Sequence, residues 1–78
     1  MSETTVLTFG VITEIIGKSS FAVRDVSSTE ELKTKLESAF PRLKTIHYAV
    51  AVNKKIISGP TTIAGDATIA LLPPFSGG

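Results

Sequence analysis

Residues 28–40, STEELKTKLESAF, decide the fold class. Ser28 is followed three residues later by Glu31, the spacing of a helix capping box. Leu32, Leu36, Ala39 and Phe40 then recur at i, i+4, i+7 and i+8, which lines them up as one apolar stripe of a helix. Glu31 and Lys35 lie one turn apart on the opposite side and can pair. Pro41 stops the regular helix, because it lacks an N–H and crowds the preceding turn. A helix with a single apolar stripe needs a partner surface, and the segments on either side of it read as strands.

Upstream, TTVLTFG (4–10) has the β-branched and aromatic content of a strand, with Val6 and Thr8 on one face and Leu7 and Phe9 on the other. VITEIIG (11–17) places Ile12, Ile15 and Ile16 at helical spacing before Gly17, a short helix with its stop. SFAVRDV (20–26) reads as a second strand. Downstream, IHYAVAV (46–52) is a third strand, with Ile46, Tyr48, Val50 and Val52 facing one way. NKK turns it into the short strand IIS (56–58). Gly59-Pro60 and Gly65-Asp66 mark turns, and ATIALL (67–72) is the last strand. Helices and strands alternate only at the start. The expectation is therefore an α+β domain over residues 1–72, a mixed sheet of four to five strands with one main helix packed across it.

The composition narrows the function. Hydrophobic residues at 42% and charged residues at 19% indicate a globular chain rather than a disordered one. At 78 residues, folding buries only about 60% of the unfolded surface, which leaves one small core and no enclosed active site. A net charge of +1, five aromatics and a single adjacent basic pair, Lys54-Lys55, argue against nucleic-acid or membrane-surface partners. The absence of cysteine removes disulfides, thiol nucleophiles and cysteine-based zinc sites. The N-terminal stretch MSETTVLTFG lacks the pattern of a signal peptide, and no apolar run approaches a membrane span, so a cytoplasmic location is expected.

Few side chains could carry chemistry. His47 stands alone on a strand with no second ligand and reads as a surface or half-buried residue. Glu30 and Glu31 occupy the first helical turn, where negative charge suits the helix dipole. Gly10, Gly17, Gly59 and Gly65 fit no phosphate-binding loop and read as turn residues. The informative segment is the tail PPFSGG, residues 73–78. Between Ile56 and Gly78 the one charged side chain is Asp66. Pro73 and Pro74 bias the backbone, and Leu72 before them, to an extended form with little freedom to lose. Phe75 can fill a partner's pocket. Gly77 and Gly78 carry no Cβ, so a narrow channel can close around them. Extended, the six residues reach about 20 Å, enough to enter a neighbouring protein's active site while the body docks outside.

With these segments in hand, the chain resembles the small subunit of molybdopterin synthase, a ubiquitin-like sulfur carrier of the β-grasp fold. LTFGVITEIIGKSS resembles that family's first strand and short helix, VSSTEELKTKLESAFPRL its main helix, and YAVAVNKKIIS its hairpin. The most specific segment is IAGDATIALLPPFSGG, which resembles the family ending DGD-x-V-x-x-x-PP-x-SGG. Ala64 and the pair Ala67-Thr68 depart from that ending, both in a turn away from the diglycine. Related sulfur carriers for thiamine and ubiquitin-like protein modifiers share the fold and the diglycine. The Pro-Pro pair favours the molybdopterin branch, and Phe75-Ser76 stand where modifiers often carry arginine.

The resemblance implies a division of labour. An adenylating partner uses ATP to activate the carboxylate of Gly78, and a sulfur donor protein then supplies sulfur to make a thiocarboxylate there. Leu72, Pro73, Pro74, Phe75, Ser76 and Gly77 form the segment that enters partners, with Gly77 giving slender passage. A large catalytic subunit receives the tail and transfers the sulfur to a pyranopterin precursor, in an assembly of two small and two large subunits. The carrier itself binds no cofactor or metal and supplies no catalytic side chain.

Overall fold

The computed structural model describes residues 3–64 and 66–73. Eight segments follow one another: β1 (Glu3–Thr8), α1 (Val11–Ile16), β2 (Ser20–Arg24), α2 (Thr29–Ala39), a 3₁₀ helix (Pro41–Thr45), β3 (Ala49–Val52), β4 (Lys55–Ile57) and β5 (Thr68–Leu72). The strands form one five-stranded sheet in the order β2-β1-β5-β3-β4. Only β1 and β5 run parallel; the other three pairings are antiparallel. This is the expected α+β architecture with a mixed sheet, at the upper end of the expected strand count.

The alternation of β1 sets the two faces of the sheet. Thr4, Val6 and Thr8 point inward and are buried, as are Ile69 and Leu71 of β5 and Val50 of β3. Leu32 and Leu36 of α2, Ile12 and Ile16 of α1, Leu43 of the 3₁₀ helix, and Ile63 complete the core. The buried threonines are satisfied locally. The Thr8 hydroxyl donates to the Lys18 carbonyl, so the 2.9 Å contact with the Thr13 hydroxyl has Thr13 as donor. Thr29 Oγ1 accepts from Thr61 N–H at 3.0 Å, while Thr29 N–H donates to Thr61 C=O at 2.8 Å. That pair pins the loop after β4 to the start of α2, which is why polar Thr29 is buried.

The start of α2 departs from the expected capping box by one residue. Ser28 Oγ accepts from Glu31 N–H at 3.2 Å as expected. The Glu31 carboxylate, however, accepts from Ser27 N–H (2.7 Å) and Ser27 Oγ (2.8 Å). With its carboxylate engaged there, Glu31 forms no ion pair with Lys35, whose Nζ donates instead to the Arg24 carbonyl at 3.1 Å. Among the described residues the one salt bridge is Arg24–Glu3, across the exposed β1–β2 pair.

Other limits moved for physical reasons. The apolar stripe of α2 ends early: Ala39 is exposed and Phe40 is the half-buried C-cap. Pro41 starts the 3₁₀ helix, since a proline's fixed φ suits a first helical position. That segment takes Ile46, His47 and Tyr48 out of the third strand, which begins at Ala49. Asn53 and Lys54 turn β3 into β4 with φ of 49° and 73°, the two positive values of a type I′ hairpin. Asn53 also exchanges hydrogen bonds with Thr68 (N–H to C=O 2.8 Å, Oδ1 from N–H 3.0 Å), locking the hairpin to the start of β5.

Two outcomes test this packing. Leu32→Ala removes a fully buried side chain and should cost about 3 kcal/mol in urea unfolding, whereas Ala39→Ser should stay within about 0.5 kcal/mol. The Ser27 donors, the backbone N–H foremost, lower the Glu31 carboxyl below its ordinary value, and Lys35 adds a smaller pull. A depressed folded-state value contributes stability above the unfolded value and loses it as pH falls through the folded one. Melting curves over about pH 2 to 6 should therefore show a shallower acid decline for Glu31→Gln than for the wild type.

Candidate functional site

The tail grows out of the centre of the sheet. β5 lies between β1 and β3, and Leu71, fully buried, anchors its end against Thr8 on one side and Val50 on the other. Leu72 and Pro73, the next two residues, are half-buried. Leu72 pairs with Ala49. Pro73 lies over Gly10, so close that a β-carbon on residue 10 would stand 3.0 Å from Pro73 Cγ. The root of the tail is thus held by three neighbouring segments. The other expected tail residues, Pro74, Phe75, Ser76, Gly77 and Gly78, lie outside the described residues.

Around this root the outer face of the sheet is apolar and low. The pairings Leu7↔Ala70, Ala70↔Ala51 and Ala51↔Ile56 draw one row across four strands. Leu72↔Ala49 forms the next row toward the tail. Alanines in the middle keep the face flat, so the larger side chains at its edges stand out. Ile56 is 68% exposed. No helix covers this side, because α1, α2 and the 3₁₀ helix contribute their buried side chains to the opposite core. An exposed apolar patch of this kind is a candidate interaction surface.

The remaining polar groups have structural partners. Tyr48 O–H donates to Glu37 Oε2 at 2.6 Å. Burial first, and the Glu37 carboxylate second, push the phenol well above its ordinary value, so it stays protonated as a tie between the segment leading into β3 and α2. Lys33 Nζ lies 5.8 Å from the Tyr48 ring centre, a cation–π attraction of about 0.5 kcal/mol at this exposure. His47 is exposed and solitary, in line with its reading as a surface residue. The described residues contain no group of three His, Asp or Glu side chains that could hold a metal ion. No described helix is long and apolar enough to cross a membrane.

Sequence reasoning found the strand leading into the tail but missed two parts of its setting. Ile56 read only as part of a short strand; its prominence on the outer face needs the β3–β4 register. Gly10 read only as a turn residue. The signal available for it was its position at a strand-to-helix junction, which does not say what packs over it.

The fold and the site have known counterparts. Similar solved structures include a putative molybdopterin converting factor subunit 1 from Pyrococcus furiosus, with a TM-score of 0.85 at 13% identity, covering 96% of this chain and 100% of that one. SAMP1 from Haloferax volcanii aligns with a TM-score of 0.80 at 24% identity, covering 97% and 99%. The small archaeal modifier protein 1 from Methanosarcina acetivorans aligns at 0.84 and 20% identity, covering 100% and 98%. At these identities the likeness concerns the fold, a ubiquitin-like β-grasp. No curated protein shows significant sequence similarity to the chain. The ThiS family model matches residues 6–78, from the first buried valine through both glycines. The chain belongs to the ThiS family, small sulfur-carrier proteins of ubiquitin-like fold.

Proposed function

We propose that this protein is the sulfur-carrier subunit of a molybdopterin synthase. The observation that carries the reading is the root of the tail. A central strand, clamped on both sides, delivers Leu72 and Pro73 to the edge of a flat apolar face, and the family match continues through Gly78. The Pro-Pro pair of the PP-x-SGG ending favours the molybdopterin branch among the carriers. The likeness to the molybdopterin converting factor subunit supports the same choice at the level of fold.

The chemistry follows from what a carboxylate lacks. Its oxygen is a poor leaving group, so the Gly78 carboxylate first attacks the α-phosphorus of ATP in an activating partner, and pyrophosphate departs. The terminal sulfur of a persulfide on a donor protein then adds to the acyl carbon, the bond to the AMP oxygen breaks, and AMP leaves with the electron pair. A thiol then attacks the donor's own sulfur in the resulting acyl disulfide, and the S–S bond breaks. The donor departs as a disulfide with that thiol, and the thiocarboxylate is left on Gly78. Its sulfur is soft and nucleophilic without any cysteine on the carrier. The large subunit takes the tail into its own active site, where that sulfur attacks a carbon of the cyclic pyranopterin phosphate and the bond from that carbon to a phosphate oxygen breaks. Water then cleaves the resulting thioester between acyl carbon and sulfur, which returns the Gly78 carboxylate and leaves the sulfur on the pterin. Loading by an ATP-consuming partner is compatible with a cytoplasmic location. Gly78 carries the reacting group and Gly77 passes the channel, while Pro73, Pro74, Phe75 and Ser76 span the gap. Two carriers and two large subunits form the complex.

A second reading draws on the two archaeal modifier structures of the same fold. There the activated Gly78 acyl group would be joined to a lysine amine of a target, giving an isopeptide. The two readings separate cleanly. Denaturation-resistant ladders in lysate that vanish when Gly78 is deleted would favour the modifier. Release of an unmodified carrier after sulfur transfer favours the synthase subunit.

Two measurements test the leading reading. After incubation with a cognate activating enzyme, ATP and a sulfur source, intact-mass spectrometry should show one carboxyl oxygen replaced by sulfur, mapping to the C-terminal peptide. Deleting Gly78 should abolish loading with the melting curve unchanged; normal loading of that variant would overturn the mechanism. Ile56→Asp alters only an exposed side chain, so stability should hold within about 0.5 kcal/mol. Affinity for the large subunit should nonetheless fall about tenfold or more, as for an anchor residue of an interface; unchanged binding would exclude the outer face as the docking surface.

A further inference from the structure

The turn between β1 and α1 has a geometry that its role as a connector does not require. Gly10 lies at φ 58° and ψ −132°, and Ile12 N–H donates to Phe9 C=O at 3.1 Å. That is a type II′ turn with glycine at its first central position, where L-residues are strained. Because β1 and β5 are parallel and Thr8 pairs with Leu71, the turn and the tail root leave the same end of the sheet side by side. The Pro73 ring closes over the Gly10 Cα. A β-carbon there would stand 3.0 Å from Pro73 Cγ and 3.6 Å from Pro73 Cβ. The site is at the surface, flanked by Phe9 at 45% and Val11 at 37% exposure, within reach of a docked partner.

We infer that Gly10 is a positioning residue for the tail: its bare Cα is the seat for the Pro73 ring, and this contact fixes the direction in which the chain leaves β5. The inference rests on the carrier reading of the tail. Proline suits the role because its ring is rigid and its φ is set, so holding the ring holds the backbone. The lever is long. Five further residues extend about 17 Å, so a tilt of about 10° at Pro73 moves the end by about 3 Å. A displacement of about 1 Å in a reacting group can cost on the order of a hundredfold in rate. A side chain at position 10 would force a shift of that kind. Docking through the outer face would continue, so the loss should appear in kcat and not in KM.

The test has two arms. In the isolated wild-type chain, NMR should show a nuclear Overhauser contact between the Gly10 Hα protons and the Pro73 ring. Heteronuclear relaxation at the Phe75 amide should report greater mobility in Pro73→Ala. Absence of the contact, or unchanged relaxation, would overturn the seat whatever the tail does. The second arm follows adenylation of the carrier by its activating enzyme. Gly10→Ala and Pro73→Ala should each lower kcat about tenfold with KM for the carrier within about twofold. Because both act through one contact, the double variant should be no slower than the slower single variant. An additive loss of about a hundredfold, or losses confined to KM, would show that the two residues act separately. If strain in the turn unfolds Gly10→Ala, Gly10→D-Ala takes its place in the NMR arm. A D-residue accepts the positive φ and carries its methyl on the other side of the Cα, so the Pro73 contact should persist; its loss counts against the seat. Should the wild type accept no adenylate at all, the carrier reading falls, while the NMR arm still decides whether Gly10 seats Pro73.

Discussion

The structure depends on the parallel pairing of β1 with β5. Val6 sits opposite Ile69 and Thr8 opposite Leu71, and all four side chains are buried. Without β5 the sheet falls into two separate hairpins, β1–β2 and β3–β4. Two-stranded hairpins are marginal in water, since each lacks a partner for its apolar face. β5 joins them by pairing with both, and the helix α2 then has a continuous surface to cover. The contact is also the most distant along the chain, so its closure entropy must be met by burial in the core.

This arrangement ties the stability of the protein to its proposed activity. The strand that completes the sheet is the one that leads into the tail. Leu71 fixes its end by full burial, and the next two residues meet β3 and the β1–α1 turn. The segment proposed to reach a partner's active site thus follows the most constrained strand of the fold. The buried core ends at Leu71.

The two faces of the sheet show how a small chain divides its apolar residues. Inward positions carry Val, Ile and Leu that fill the space beneath α1, α2 and the 3₁₀ helix. Outward positions along the central row are Ala70 and Ala51, flanked by Leu7 and Ile56. Small residues there leave a flat surface that a partner can approach closely, with Ile56 as the projecting anchor. The polar groups inside, Thr8, Thr29 and Tyr48, are all committed to holding segments together.

Much of this was legible in the amino-acid order. The period of Leu32 and Leu36, the cap at Ser28, the glycine stop after α1 and the alternation of β1 are local signals, each produced by neighbours in the chain. The PP-x-SGG ending was equally plain. Less local features escaped. The pairing of Glu31 with Ser27 rather than Lys35 turned on which donors lay nearer in space. The third strand starts at Ala49, because the 3₁₀ helix over Pro41–Thr45 is followed by three residues, Ile46 to Tyr48, that lead from it to the sheet without pairing. Strand order and the outward-facing row from Leu7 to Ile56 required the register of strands far apart in sequence, which no single segment encodes. The sequence alone determined the helix, the strand segments and the family ending, because those depend on contacts within a few residues. Only the tertiary structure placed Gly10 beneath Pro73, because that contact exists only once β5 has closed against β1.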